Sequence, residues 1–366
     1  MEYSASTPYS SPDKNKAKEV ILVTGGSGLI GKKVIKKLSD KYQCIGLDKV
    51  GNPFPQKEVE NINFDITSPQ SIGAALERVD YAYGRDIASV IHLAAYYDFS
   101  GEPSPLYEKV TVHGTEKLIQ ALQDYNVNQF IFSSTNLVYK PTSPGQKIDE
   151  DWPLDPNWDY PESKVETEKV LHRHRGNIPV VILRLAGAYD DEGHSIPISH
   201  QIQRIYERQL TSHLYSGDLL HGNAFIHLDD ITDALVQTVE NRSSLPKDVA
   251  INISEPETYS YDELQQEIGK LVHGEEWETF EIPKPIAKAG AWVQDLIGDS
   301  FIKPWMIDRA DDHYELDISR ARELLHWEPK HSLKDTLPKI IQKLKENPKA
   351  WYKEHDLKMP DEVENS

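Results

Sequence analysis

The feature that most constrains the fold is a glycine-rich turn directly after a short apolar run. The run Val20-Ile21-Leu22-Val23 leads into Thr24-Gly25-Gly26-Ser27-Gly28-Leu29-Ile30-Gly31. Such a turn between a buried strand and a helix predicts a dinucleotide-binding βα unit, with an ordinary glycine-rich turn as the alternative. In that unit Gly25 permits the tight turn, Gly28 lets the backbone approach a pyrophosphate, and Gly31 lets helix and strand pack closely. The N–H groups of the helix N-terminus then face the phosphates.

Apolar runs alternate with helical segments through the first half of the chain. The apolar runs are residues 43–47, 89–93, 129–133 and 180–185, and residues 29–38 and 110–122 have helical spacing. This alternation predicts an α/β fold, a Rossmann doubly wound parallel sheet covered by helices on both faces. After Tyr189 the alternation stops. We predict one helix near residues 199–209, then a strand over 225–228 and a helix over 229–240 that return to the sheet.

These patterns predict two domains and two irregular ends. We expect a disordered segment over residues 1–18, which are rich in Ser, Pro, Lys and Asp. The Rossmann domain is assigned to residues 19–188 and 224–253. A smaller, mostly helical substrate-binding domain is assigned to residues 189–223 and 254–350, and a polar tail to residues 351–366.

Composition excludes several classes of function. The chain has 40 Lys and Arg against 59 Asp and Glu, a net charge of −19 that disfavours nucleic-acid binding. The single cysteine, Cys44, can form neither an internal disulfide nor a cysteine metal cluster. No apolar run approaches the ~20 residues that a membrane span needs, so we expect no stable membrane insertion. We expect a soluble, cytoplasmic, acidic protein that acts on a small molecule.

The end of the second predicted strand indicates which dinucleotide binds. Asp48 stands there, and its carboxylate would accept hydrogen bonds from a ribose 2′-OH and repel a 2′-phosphate. This favours NAD over NADP. Lys49 complicates the prediction because a neighbouring cation could relieve that repulsion, and Asp48 could also be a solvated turn residue.

A tyrosine and a lysine four residues apart form the candidate catalytic pair. In Tyr160-Pro161-Glu162-Ser163-Lys164 the spacing puts both side chains on one helix face. A free tyrosine has a pKa of about 10, and a nearby ammonium together with an oxidised nicotinamide would favour its phenolate. Thr135 ends the predicted strand before this helix, where its hydroxyl could hold the reacting oxygen, or could only cap a loop.

In this order the motifs resemble the extended short-chain dehydrogenases/reductases, the NAD-dependent epimerase/dehydratase family. The resemblance extends to Asp65-Ile66, His92-Leu93-Ala94-Ala95, Ser133-Ser134-Thr135, Leu183-Arg184, Phe225-Ile226-His227-Leu228-Asp229-Asp230 and Trp327-x-Pro329. It implies Thr135 as the hydroxyl partner, Tyr160 as the acid/base, and Lys164 as a ribose ligand that tunes the pKa of Tyr160. It also implies a homodimer packed through the helices near residues 110–122 and 160–171.

The resemblance implies further binding residues. The candidate cofactor-binding residues are Gly25, Gly28, Leu29, Ile30, Gly31, Asp48, Asp65, Ile66, Leu93, Ala94, Ala95, Ser133, Tyr160, Lys164 and Leu185. The candidate substrate-binding residues are Tyr97, Thr135, Asn136 and Gly187. We predict no metal site, and we interpret Asp190-Asp191-Glu192-Gly193-His194 as a polar loop at the rim of the cleft rather than a ligand set.

Departures from the family pattern narrow the function. The 4,6-dehydratases of the family carry Asp-Glu after the hydroxyl residue, but this chain has Asn136-Leu137, and leucine cannot transfer a proton. Members that act on nucleotide sugars usually carry Arg-Asp before the Phe-Ile-His strand, but this chain has Asn223-Ala224. Arg309 could supply the missing charge from the C-terminal domain. Thr111 replaces an asparagine that is usual in the family.

Two apolar features indicate a less polar substrate. Residues 286–297 form an apolar segment with helical spacing, and Tyr96, Tyr97 and Phe99 follow the fourth strand. These residues could line a substrate site, or the helix could be packed core and the aromatic residues could close a loop. Contact of this helix with a membrane surface is a weaker alternative, because its neighbourhood is not basic.

The sequence therefore predicts an NAD-dependent oxidoreductase that transfers hydride reversibly at a secondary alcohol or carbonyl carbon. The first alternative is a nucleotide-sugar 4-epimerase with tightly bound NAD. The second is a redox sensor that binds the dinucleotide without turnover, although such a sensor has no need of Thr135, Tyr160 and Lys164. The substrate and the direction of the reaction stay open.

Overall fold

The computed structural model describes residues 18–50, 59–98, 100–289 and 302–364. Its centre is an eight-stranded parallel sheet. The strands are β1 Val20–Thr24, β2 Gln43–Asp48, β3 Glu60–Asn63, β4 Asp86–His92, β5 Asn126–Val127, β6 Phe130–Thr135, β7 Val180–Leu185 and β11 Asp248–Ile253. Their order in the sheet is β11-β7-β6-β4-β1-β2-β3, and β5 pairs with β4. The predicted doubly wound Rossmann sheet is confirmed.

Helices cover both faces of this sheet. They are α1 Leu29–Leu38, α2 Pro69–Tyr83, α3 His113–Ala121, α4 Asp159–His174 and α6 Leu228–Glu240. All residues of β1, β6 and β7 are buried, which is why these strands have no alternation of polar and apolar residues. Two separate apolar clusters form on the two faces, one around Ile21 and Val23 and the other around Val20 and Leu22.

The first half differs from the sequence prediction in two places. The helix expected over residues 110–122 begins earlier, as a π-helical turn at Tyr107–Val112 that continues into α3. Strand β3 and helix α2 were not expected from the sequence. The residues of β3, Glu-Asn-Ile-Asn, are only partly buried because this strand lies at the edge of the sheet, so they form no apolar run.

The strand predicted over residues 225–228 does not return to the main sheet. It is β10, Phe225–His227, and it pairs in parallel with β8, Gly187–Tyr189, in a separate two-stranded sheet. The strand that returns is β11, which pairs with β7 along its whole length. The prediction of a return by residues 225–228 is wrong because so short a segment can pair with either neighbour, and only the folded chain selects one.

The remaining helices build a second lobe with its own apolar cluster. They are α5 Ile196–Tyr206, α7 Tyr261–His273 and the helix Leu333–Glu346, and the short strands β9 Leu214–Tyr215 and β12 Phe280–Glu281 pair beside them. Short helices also lie at Pro304–Asp308, Ser319–Leu325, Pro348–Glu354 and Asp361–Glu364. Within the described ranges, no helix is both long and apolar enough to cross a membrane.

Two predicted boundaries differ from the structure. The polar tail expected from residue 351 is wrong for the described residues, because Trp351 and Tyr352 are buried in the cluster of the second lobe. The segment containing Tyr314 and Trp327 was assigned to the substrate-binding domain, yet both residues pack in a cluster of the central sheet. Most of the predicted disordered segment, residues 1–17, lies outside the described residues.

Candidate active site

The glycine turn after β1 is closely packed on one side and open on another. Gly25 has φ +71°, and a Cβ atom there would lie 3.0 Å from the backbone nitrogen of Ala94. A Cβ atom at Gly31 would lie 2.3 Å from the carbonyl oxygen of Gly25. At Gly28 it would meet one atom only, the same oxygen at 3.3 Å. The turn therefore fits a dinucleotide: two glycines are needed for packing, and the third leaves backbone accessible to a ligand.

Asp48 lies beside this turn with its carboxylate held by backbone groups. Its Oδ2 accepts from the N–H of Ser27 at 3.0 Å and its Oδ1 from that of Val50 at 3.1 Å. Lys49, the residue that complicated the choice between NAD and NADP, is 3.2 Å from Asp65 instead. Hydrogen bonds from Thr67 lower the pKa of Asp65 to about 2. The Lys49 ammonium is therefore paired with a neighbouring carboxylate rather than with that of Asp48.

A buried histidine that sequence reasoning did not assign holds the end of β4 in place. His92 Nδ1 lies 2.6 Å from the hydroxyl of Thr24, and Nε2 lies 2.8 Å from the hydroxyl of Thr115. Burial lowers the pKa of His92 to about 3, and the charge of Lys164 adds a smaller effect, so the ring is neutral. The Thr24 hydroxyl also accepts from the N–H of Ala94 at 3.2 Å. This network fixes residues 93–95 next to the glycine turn.

The three predicted catalytic residues come together at the ends of β6 and α4. Tyr160 and Lys164 lie on α4, and the side chain of Thr135, the last residue of β6, is close enough to the Tyr160 hydroxyl to influence its pKa. Lys164 Nζ donates to the carbonyl oxygen of Ser133 at 2.7 Å and lies 5.7 Å from the centre of the Tyr160 ring. This grouping is the one that acid/base chemistry at a hydroxyl or carbonyl requires.

Burial shifts both titratable groups of this site toward their neutral forms. It lowers the pKa of Lys164 to about 7, although the charge of Glu168 opposes the shift. It raises the pKa of Tyr160 to about 12, although the hydrogen bond with Thr135 opposes the shift. The expected depression of the tyrosine pKa is therefore absent from the protein by itself. A phenolate at neutral pH needs a further positive charge beside Tyr160.

A buried ion pair beneath the site was also missed at the sequence level. Glu168, one helical turn after Lys164, accepts from Arg184 Nη2 at 2.7 Å and from the hydroxyl of Ser134 at 2.6 Å. Glu168 and Arg184 are 3% and 6% exposed. The pair ties α4 to the neighbouring strands β6 and β7 directly below Lys164. The only sequence signal was a charge within an apolar strand, in Leu183-Arg184-Leu185.

A cavity of about 1100 Å³ runs from the glycine turn past Tyr160 into the second lobe. The candidate cofactor residues that line it are Leu29, Ile30, Leu93, Ala95, Ser133, Tyr160, Lys164 and Leu185, and all four candidate substrate residues line it, Tyr97, Thr135, Asn136 and Gly187. The other candidates, Gly25, Gly28, Gly31, Asp48, Asp65, Ile66 and Ala94, are not part of this lining. Ile66 is buried, with its side chain near Gly114.

Aromatic rings surround the Tyr160 side chain. Tyr97 meets it edge-to-face with ring centres 5.0 Å apart, and the ring of Trp158 is 5.5 Å away. Trp158 in turn stacks on Trp305 at 5.0 Å. Trp305 belongs to the second lobe, so both lobes supply walls to this end of the cavity. Sequence reasoning anticipated Tyr97 but neither tryptophan.

Most positions at which the sequence departs from the family pattern line the same cavity, whereas Thr111 is buried away from it. Asn223 and Ala224 are both in the wall, as is Leu137, which brings no carboxylate to the site. Arg309 also lines it, and its Nη2 donates to the carbonyl oxygen of Asn157 at 3.1 Å. Ile286 lines the cavity and is 63% exposed, while residues 290–297 of the predicted apolar helix, like Phe99, lie outside the described residues.

Two groups of histidine and acidic residues contain the side-chain types that bind metal ions. In the polar loop at residues 190–194, Asp190 accepts from the N–H of His194 at 3.0 Å and pairs with its Nδ1 at 2.8 Å. In a second group, one ring nitrogen each of His227 and His331 and a carboxylate oxygen of Asp229 lie within 4.8 Å of one another. There His227 Nδ1 accepts from the Asp229 N–H at 3.1 Å, which places the ring proton on Nε2. Neither ring nitrogen of His227 then has a lone pair free for a metal ion.

Comparison with known proteins places these features in context. Residues 21–254 match the model of the NAD dependent epimerase/dehydratase family. A putative UDP-glucose 4-epimerase of Methanocaldococcus jannaschii is 26% identical over 90% of this chain and 99% of its own length. A 3-beta-hydroxysteroid dehydrogenase of Mycolicibacterium neoaurum is also 26% identical, over 57% of this chain and 56% of its own length.

Solved structures share the fold. The UDP-glucuronic acid 4-epimerase from Bacillus cereus, in complex with UDP-glucuronic acid and NAD, superposes with a TM-score of 0.67 at 22% identity, over 89% of this chain and 99% of that one. The UDP-glucose 4-epimerase of Thermotoga maritima, with UDP-glucose, superposes with a TM-score of 0.66 at 21% identity, over 90% of this chain and 100% of that one.

Proposed function

The chain belongs to the NAD-dependent epimerase/dehydratase family, and on that premise we propose that it transfers hydride reversibly between NAD and a secondary alcohol or carbonyl carbon of a small molecule. The observation that carries the proposal is that Thr135, Tyr160 and Lys164 line one cavity together. Leu29 and Ile30 of the glycine turn line the same cavity. A hydroxyl, a phenol and an ammonium at one point can hold and deprotonate an alcohol.

Residues of the glycine turn and of β2 would hold the cofactor. The open backbone at Gly28 would receive the pyrophosphate at the start of α1, and Asp48 would bind a ribose hydroxyl. NAD, when bound, accepts or supplies the hydride and in its oxidised form carries a positive ring.

Tyr160 would act as the acid/base. In the oxidising direction its phenolate takes the proton of the substrate hydroxyl while the carbon loses a hydride with its electron pair, and the carbonyl forms. Thr135 would hold the same oxygen, and Lys164, fixed by the carbonyl oxygen of Ser133, would stabilise the phenolate. In the reducing direction Tyr160 returns the proton to the carbonyl oxygen.

A nucleotide-sugar 4-epimerase is the second candidate, and the names of the relatives favour it. Oxidation and re-reduction would then take place at one carbon without net consumption of cofactor. Two observations favour the broader dehydrogenase activity: Asn223-Ala224 stands where members of the family that act on nucleotide sugars usually carry Arg-Asp, and aromatic rings surround Tyr160. A dinucleotide sensor without turnover is the non-enzymatic alternative.

The test is a Tyr160→Phe variant assayed with a panel of secondary alcohols and ketones for change in NADH absorbance. We expect turnover to fall by about 10²–10⁴-fold while NAD binding is kept, because only the proton carrier is removed. Tyr81→Phe is the matched control, since Tyr81 is 89% exposed. Conversion of UDP-sugars to their epimers without net NADH would favour the epimerase. Binding of NAD without turnover of any substrate would favour the sensor.

We also propose that the protein is a cytoplasmic homodimer. The π-helical turn, α3 and α4 lie side by side and would supply the dimer face, as the family resemblance implies. Light scattering measures the mass directly, and a mass near 41.7 kDa would contradict the dimer.

A further inference from the structure

An arginine in the second lobe has donors that the protein leaves without strong acceptors. Arg204 lies on α5 and lines the cavity. Its Nε–H is fully enclosed and has no hydrogen-bond partner. Its two terminal nitrogens make only long contacts of 3.4 Å, one to the carbonyl oxygen of Thr211 and one to the hydroxyl of Tyr261.

No carboxylate neutralises this guanidinium among the residues that the structure describes. The contrast with its neighbours is clear, since Arg208 pairs with Glu275 at 2.8 Å and Arg309 lies 3.7 Å from Asp312. Removing a cation from water without a counter-ion is unfavourable. The uncompensated charge also affects its surroundings: burial lowers the pKa of His200 to about 4, and the charge of Arg204 adds to that effect.

The residues around Arg204 suit an incoming anion. Because the Tyr261 oxygen accepts from Arg204, its own O–H can donate to a ligand. The Tyr261 ring stacks on that of Tyr215 with centres 3.7 Å apart, and the Tyr215 hydroxyl donates to the carbonyl oxygen of Ala310. These contacts hold the two rings in place, and both rings line the cavity. Each terminal nitrogen of Arg204 keeps a second N–H beyond its long contact, and these two N–H groups together with the Tyr261 O–H are the donors left for a ligand.

We propose that Arg204, assisted by Tyr261, binds a carboxylate or phosphate group of the substrate. The proposal rests on the proposed function, because it defines the class of substrate: a secondary alcohol or ketone that carries an anionic group. The cavity has a binding group for each end of such a molecule, because the acid/base Tyr160 lies on one wall and the unpaired guanidinium of Arg204 lies on another. An arginine on α5 would then supply the charge that Asn223-Ala224 lacks.

Calorimetric binding to the NAD-saturated protein tests the assignment without requiring turnover. The probes are octanoate for a carboxylate, pyrophosphate and UDP for phosphates, and 1-octanol as the uncharged match of octanoate. We expect at least one of the anionic probes to bind, and we expect Arg204→Gln to weaken that binding by about tenfold or more. Arg204→Lys should retain part of the affinity, and Tyr261→Phe should reduce it by a smaller factor. Arg208→Gln, which removes a cation paired outside the cavity, should leave it unchanged.

Three results would overturn the proposal. The first is anion binding that Arg204→Gln does not weaken, and the second is equal weakening of octanoate and 1-octanol binding. The third is a structural role for the charge: Arg204→Gln lowers the thermal stability and Arg204→Lys restores it, but Arg204→Lys binds anions no better than Arg204→Gln does. Failure of the proposed function gives a different pattern, in which Arg204-dependent anion binding persists but no alcohol or ketone is turned over.

Discussion

Single glycine-to-alanine substitutions in the glycine turn can separate the glycines that are needed for packing from the one that leaves room for a ligand. Gly31→Ala places a Cβ atom 2.3 Å from the carbonyl oxygen of Gly25 and 2.8 Å from the Cα of Gly26. Both contacts are with backbone atoms, which cannot move aside as a flexible side chain can. Overpacking of this kind costs about 1–3 kcal/mol, and a gain of up to about 1 kcal/mol from replacing a helical glycine offsets part of it. We therefore expect a net loss of about 2 kcal/mol, together with weaker NAD binding.

Gly28→Ala provides the opposite result. Its backbone has φ −76° and ψ 174°, a conformation that alanine adopts without strain, and the new Cβ atom meets only one oxygen at 3.3 Å. Stability should change by less than about 1 kcal/mol. NAD affinity should still fall by about tenfold or more, because the methyl group occupies the space through which a pyrophosphate approaches the backbone.

The assay combines thermal unfolding with NAD titration by tyrosine and tryptophan fluorescence. A loss of about 2 kcal/mol corresponds to roughly 3 °C in Tm for a chain of 366 residues, because the unfolding entropy grows with chain length. Gly73→Ala is the control for a glycine-to-alanine change in a helix, since a Cβ atom there meets nothing within 4 Å. An unchanged Tm for Gly31→Ala would refute the packing argument. Wild-type NAD affinity in Gly28→Ala would refute the placement of the pyrophosphate at this turn.

Two further predictions concern buried charges. Arg184→Met leaves the buried Glu168 carboxylate without its partner, so chemical denaturation should show that the free energy of unfolding falls by about 3–5 kcal/mol. Adding Glu168→Gln should recover part of that loss, and a double variant without any recovery would show that the ion pair is not the cause. Burial raises the pKa of the Glu255 carboxyl from 4.5 to about 7. Between these two pH values the folded state holds a proton that the unfolded state has lost. The free energy of unfolding therefore falls as the pH rises from 4.5 to 7, by about 3 kcal/mol in all. Glu255→Gln should flatten this part of the stability profile, and an unchanged slope in the variant would contradict the assignment.

Much of the candidate site could be predicted because its signals are local. Glycine is required wherever the backbone turns tightly or approaches another chain segment, so the spacing of Gly25, Gly28 and Gly31 indicates a dinucleotide turn without knowledge of its neighbours. Strands buried on both faces contain uninterrupted apolar stretches, so the apolar parts of β1, β6 and β7 are visible as runs. A spacing of four residues puts Tyr160 and Lys164 on one helix face wherever the helix lies.

Other features depend on which segments pack together, and only the tertiary structure decided them. The three residues at 225–227 are too short a segment to specify a sheet by themselves, and the choice of β8 as their partner is made by long-range packing. The same holds for charge. Arg184 is buried and Arg204 is partly buried, yet folding brings Glu168 to the first, while no described carboxylate pairs with the second. The sequence by itself determined the βα framework and the acid/base pair, because backbone sterics and periodicity act between near neighbours. Burial and charge pairing act between residues far apart in the chain, so the tertiary structure decided the walls of the cavity and the unpaired cation within it.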